Sequence, residues 1–140
     1  MSGEEITIKG QGVSGEVRRL DLFDGLFTTG YRLTSFEITP QNILTGEMVS
    51  ARLTTQETAH QVNWDWDNNL EVGWAVWNTP IATRFGMYNR VDEDSSIVED
   101  LFIDLSGDAG ENINYIITMR KVTFPIGIGA MNMVRNMSQG

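Results

Sequence analysis

Cysteine is absent from these 140 residues, which excludes disulfides and thiolate metal sites. Histidine occurs once, at His60, so a zinc site built from paired imidazoles is excluded as well. No Gly-x-Ser-x-Gly nucleophile elbow accompanies that histidine, which therefore reads as a loop or interface residue and not as a general base. Lysine is confined to Lys9 and Lys121, against fourteen glycines, a balance that argues against a helical bundle with Lys- and Glu-rich surfaces. No apolar run approaches the roughly eighteen residues of a membrane span. Positive charge is also scarce. Ten basic residues face nineteen acidic ones for a net −9, and Arg18, Arg19, Arg32, Arg52, Arg84, Arg90, Arg120 and Arg135 are scattered. Such a surface repels phosphate, so neither nucleic acid nor a membrane is expected as a partner. The start, Met1 to Glu5, is acidic and has no apolar segment of a secretory leader, so none is expected.

Apolar residues make up 41% of the chain, too much for disorder, and a chain of this length buries roughly 68% of its unfolded surface around one core. Most segments alternate with a period of two. Strands are predicted in Glu5–Lys9, Glu16–Phe23, Tyr31–Thr39, Met48–Thr54, Leu70–Trp77, Arg84–Val91, Ile97–Leu105 and Ile113–Val122. The third and fourth read as a hairpin, and Thr54–Asn63 as a short helix or an excursion loop. Eight short strands with turn residues between them predict an all-β chain, a single jelly-roll-like β-sandwich of two four-stranded sheets over residues 1–124. After Pro125, Ile126, Ala130, Met133, Val134 and Met137 recur at helical spacing with Arg135 as the one charge. Residues 125–140 are thus expected to be a helix or arm. It either packs on its own sandwich or docks on a neighbouring subunit, where methionines fill an irregular apolar groove.

Several motifs fail on a named missing part. Gly10-Gln11-Gly12-Val13-Ser14-Gly15 has the spacing of a dinucleotide loop, but no helix opens at Gly15, and a turn between the first two strands is expected instead. Asp65-Trp66-Asp67-Asn68-Asn69 begins like a calcium loop, yet Leu70 stands where glycine is needed and Val76 where a bidentate glutamate belongs. A looser site from Asp65, Asp67 and Asp92–Asp94 competes with two solvated acidic loops. Nineteen carboxylates offer no particular pair for glycoside hydrolysis. No catalytic residue, metal or cofactor is expected. Asn136-Met137-Ser138 is a glycosylation sequon of little weight without an export signal.

All four tryptophans, Trp64, Trp66, Trp74 and Trp77, lie in one short stretch. In an extended chain Trp64 and Trp66 share a face with Asp65 and Asp67 opposite. Trp74 and Trp77 take opposite faces, so one is exposed unless the sheet is covered there. Three readings stand: a large-residue end of the core, a protein interface, or a sugar site in which Trp64, Asp65, Trp66, Asp67 and Asn69 combine ring stacking with hydroxyl binding.

Three stretches together resemble a known group: Gly30 to Pro40, Asn63 to Trp77, and Val98 to Ile103 continuing through Ile113-Asn114-Tyr115 to the ending Val134 to Gly140. The chain resembles short virion structural proteins encoded by marine bacteriophages. That resemblance implies a capsid coat or capsid-decorating subunit, made in the host cytoplasm and ending in the virion. Its partners would be itself, as a homo-oligomer, and other virion proteins, with no catalytic residue to carry over. The contacts expected for it are Trp64, Trp66, Trp74 and Trp77 together with Ile126, Met131, Met133, Val134 and Met137. The alternative is a lectin-like β-sandwich binding glycan through residues 64–77.

Overall fold

Eight strands cross the computed structural model: β1 (Glu5–Val13), β2 (Val17–Asp21), β3 (Thr29–Pro40), β4 (Met48–Thr54), β5 (Glu71–Ile81), β6 (Arg84–Val91), β7 (Asp100–Ser106) and β8 (Asn112–Thr123). The structure describes residues 4–22, 29–43, 48–81, 84–97, 100–107 and 110–123, and among these there is no helix. Each strand falls on a segment of alternating sequence. The excursion after Thr54 is a loop, and the candidate contacts Ile126, Met131, Met133, Val134 and Met137 of the expected C-terminal helix or arm lie outside the described residues.

The strands form two antiparallel sheets, one ordered β1-β8-β3 and the other β2-β7-β4-β5-β6. The division is therefore three and five, where four and four was expected. β3 and β4 are not a hairpin: they lie in opposite sheets, β3 beside β8 and β4 between β7 and β5. Three pairings, β1 with β8, β2 with β7 and β4 with β5, join strands equally far from the middle of the chain.

Register explains the core. In the three-stranded sheet Ile113, Tyr115, Ile117 and Met119 of β8 point inward, flanked by Gly12, Gly10, Ile8 and Ile6 of β1 and by Pro40, Ile38, Phe36 and Leu33 of β3. In the five-stranded sheet Val49, Ala51 and Leu53 lie between Leu105 and Ile103 of β7 and Trp77, Ala75 and Gly73 of β5. These two inner faces meet as a sandwich, each strand giving alternate residues to the core. Gly10 and Gly12 are thus inside a strand, with the turn one step later at Ser14-Gly15, where Gly15 has a φ of 91°. Their small size serves close packing. A Cβ on Gly10 would sit 2.5 Å from the Tyr115 hydroxyl, and one on Gly12 would collide with Leu105 and lie 2.9 Å from Glu16 Oε1. At this corner Arg18 spans Glu16 (3.1 Å) and the Tyr115 hydroxyl (3.4 Å). The bond to Tyr115 outweighs burial and, with help from Glu16, raises the guanidinium above its ordinary value.

Candidate functional site

Alternation sends Arg52, Thr54, Trp74, Phe102 and Asp104 to the outer face of the five-stranded sheet, where water is the default neighbour. All five are buried nonetheless. Their cover is the loop 55–70 between β4 and β5. It is longer than the ~12–15 residues usual for a connection without secondary structure, a length more often functional than incidental. Its base is closed by Thr55 N–H donating to Leu70 O at 2.9 Å. Two Asx turns shape its far limb: the Asp67 N–H donates to Asp65 Oδ1 and the Leu70 N–H to Asn68 Oδ1.

A charged cluster pins this loop to the sheet. Arg52, only 2% exposed, donates through Nε to Asp104 Oδ2 and through Nη1 to Glu71 Oε2, both at 3.0 Å. Its Nη2 reaches the loop, donating to Thr58 Oγ1 at 2.7 Å and to the Ala59 carbonyl at 3.3 Å. Asp104 also accepts the Gln61 N–H at 3.0 Å, and its Oδ1 meets His60 Nδ1 at 2.5 Å. A carboxylate only accepts, so Nδ1 carries the proton in that bond. Glu71 Oε1 takes the Asp65 N–H and the Trp74 indole N–H, at 2.9 and 2.8 Å. Every arm of the guanidinium thus has an acceptor, which is what a buried charge requires.

Sequence pattern alone places Glu71 wrongly. Counting by twos from Gly73 and Ala75 puts it on the inner face. A β-bulge intervenes, because Leu53 pairs with Gly73 but Thr54 pairs with Glu71, leaving Val72 as the extra residue. Val72 turns into the core and Glu71 is re-aimed onto the face of Arg52. One signal for a covered face was present: Trp74 and Phe102 are large apolar residues at outward positions, and such residues need something on top of them.

Beyond the pinned loop lies an aromatic recess of about 560 Å³, lined by Trp66, Trp74 and Tyr88 with Arg90 and residues 91–94. Trp66 stands edge-on to Trp74 with ring centroids 5.7 Å apart, and Trp64 leans on Tyr88 at 6.1 Å. Trp66 is 61% exposed and Tyr88 39%, so aromatic surface faces the recess uncovered. Asp92 is held in its own turn, accepting from the Asp94 N–H and the Ser95 hydroxyl, whereas Glu93 and Asp94 are exposed. Among the described residues Arg90 makes no ion pair.

The tryptophans therefore divide. Trp74 is buried beneath the loop, Trp66 and Trp74 line the recess, Trp64 braces Tyr88, and Trp77 packs against the core from the inner face. Asp65, Asp67 and Asn69 do not line the recess. The polar groups beside Trp66 come instead from Arg90, which sheet register sets opposite Trp74, and from residues 92–94, which follow β6. Among the described residues no three His, Asp or Glu side chains are placed to hold a metal ion. A second depression of about 570 Å³ lies on the outer face of β1-β8-β3. An amide ladder, Gln11 to Asn114 to Thr39, crosses it beside Ile116, but it has no exposed ring.

Among the described residues no helix is long and apolar enough to cross a membrane. Compared with known proteins, the chain matches no protein-family model and no curated protein.

Proposed function

We propose that this chain is a structural subunit of a virus particle, a capsid coat or capsid-decorating protein that self-associates. Its sandwich is read as a jelly roll and residues 125–140 as its helix or docking arm. The observation that carries this is the nested strand order. Rolling a long hairpin of eight strands pairs first with eighth, second with seventh, third with sixth and fourth with fifth. Three of those four pairings are present as ladders, and β3 lies beside β6 across a small gap lined by Phe36 and Val91. Jelly rolls serve as coat and lectin domains, and a core packed with Ile, Leu and Phe leaves function to the surface. The resemblance to short bacteriophage virion proteins points the same way. Mass spectrometry of purified particles tests the reading. Many copies per particle are expected, and absence from intact particles overturns it.

The recess favours a second reading, recognition of a glycan. Exposed faces of Trp66 and Tyr88 suit the C–H face of a pyranose. Three acidic side chains would repel an anion, and Arg90 would repel a cation. A neutral polyol, whose hydroxyls both donate and accept, satisfies both signs. Titration with a glycan panel should change tryptophan emission, and W66A should abolish the change while leaving the melting temperature within about 2 °C, as expected for an exposed side chain. A flat response from the intact protein across the panel would sink this reading.

A further inference from the structure

Sheets expose unpaired backbone groups at their edges, and proteins usually cover or disrupt them. Of the four sheet edges among the described residues, β2 is short, and β3 carries a bulge between Leu33 and Ser35 and a bridge from Tyr31 to Ile97. β6 borders the aromatic recess. β1 is different. It runs from Glu5 to Val13 in unbroken register with β8 and contains no proline and no bulge.

The direction of its free groups follows from one bond. The Lys121 N–H donates to Glu4 O at 2.9 Å, so in this antiparallel ladder the even-numbered residues of β1 bond to β8. The odd-numbered ones, Glu5, Thr7, Lys9 and Gln11, turn their N–H and C=O outward. The run ends at Val13, whose outward N–H is already taken by Glu16 Oε1 at 3.0 Å.

We infer that two copies join along this edge, β1 against β1, about a two-fold axis through Thr7. An antiparallel self-pair can hydrogen-bond only where outward residues oppose outward residues, so its two paired residue numbers must sum to an even value. Among those registers, the one centred on Thr7 places Glu5 opposite Lys9 of the second copy and Lys9 opposite its Glu5. Centring on Glu5 or Lys9 sets like charges against each other, and centring on Ile8 leaves no charge pair. The Thr7 register also brings Ile6 against Ile8 on the inner face, where both are half-buried and border the core. Thr–Thr, apolar and opposite-charge pairs are the cross-strand pairs that stabilise sheets. Each copy contributes three strands to one continuous sheet. The inference rests on the proposal that the chain self-associates, and gives it an edge and a register.

The cysteine-free chain makes the test direct. Opposed residues of a hydrogen-bonded antiparallel pair have Cα atoms about 5.5 Å apart, inside the range a disulfide bridges. Full-length T7C under mild oxidation should give a disulfide dimer as the main product. K9C should give none above a remote surface control, since its two sites would lie roughly 13 Å apart along the strands. Mixing E5C with K9C should restore the cross-link. Charge reversal by E5K should lower T7C cross-linking, and E5K combined with K9E should recover it. A folded T7C protein that stays monomeric, or a K9C protein that couples as readily, overturns the inference, including the case in which another part of the chain covers the edge. Either result leaves the particle measurement untouched, so the edge and the virion reading fail separately.

Discussion

Replacing Arg52 with methionine keeps the volume of the side chain and removes the charge that Glu71 and Asp104 share. Both carboxylates are almost fully buried, at 0% and 2% side-chain exposure. Breaking a buried pair by deleting one partner costs about 3–5 kcal/mol. Two acceptors lose Arg52 at once, but each retains donors: the Asp65 N–H and Trp74 indole for Glu71, and the Gln61 N–H and His60 for Asp104. A total near 4 kcal/mol is therefore expected, a large share of the 5–15 kcal/mol that holds a domain together. For a chain of this size that lowers the melting temperature by about 15 °C. R52K should lose roughly half as much, because one ammonium cannot serve three directions at once. R52M combined with E71Q and D104N should regain part of the loss, since amide carbonyls still accept the loop N–H groups and no buried charge remains. Thermal unfolding followed by circular dichroism reads all of these. An R52M protein melting within about 3 °C of the parent would refute the idea that this cluster anchors the fold.

H60A removes one of the loop's attachments to Asp104 and leaves Arg52 in place. It should cost only about 1 kcal/mol yet quicken proteolysis within residues 55–70, and unchanged cleavage there would argue against pinning. G12A forces a Cβ against Leu105 and Glu16, and should cost about 1–3 kcal/mol in denaturant unfolding. An unaffected midpoint would mean that the corner yields more easily than its packing implies.

Much of the architecture was legible because alternation is a local property. Each of the eight segments became a strand, and inward residues such as Val49, Ala51 and Leu53 could be read by counting. What could not be read depended on partners distant in sequence. The Val72 bulge flips Glu71 across the sheet, and no local pattern announces it. Arg52 looks like an ordinary solvent-facing arginine until loop 55–70 is laid over it. The tryptophan stretch was conspicuous, but the acidic and basic groups that complete its recess arrive from residues 90–94 through the β5–β6 register. Gly10 and Gly12 looked like a loop because the residues they make room for, Tyr115 and Leu105, lie far along the chain.

β8 has a consequence for how the protein comes to be made. Among the described residues both other strands of its sheet, β1 and β3, find their ladder partner in β8, which is synthesised after the other seven described strands. Until then β1 and β3 lack that ladder, and Ile6, Ile8, Leu33, Phe36 and Ile38 lack the surface that β8 supplies. One half of the sandwich therefore forms only after synthesis of β8. Pairing Glu5 with Arg120 then closes a loop from the first described strand to the last, the kind of non-local contact that slows folding. Nascent chains of this protein should pass through a period of exposed strand edges, during which association between neighbours competes with completion of the fold.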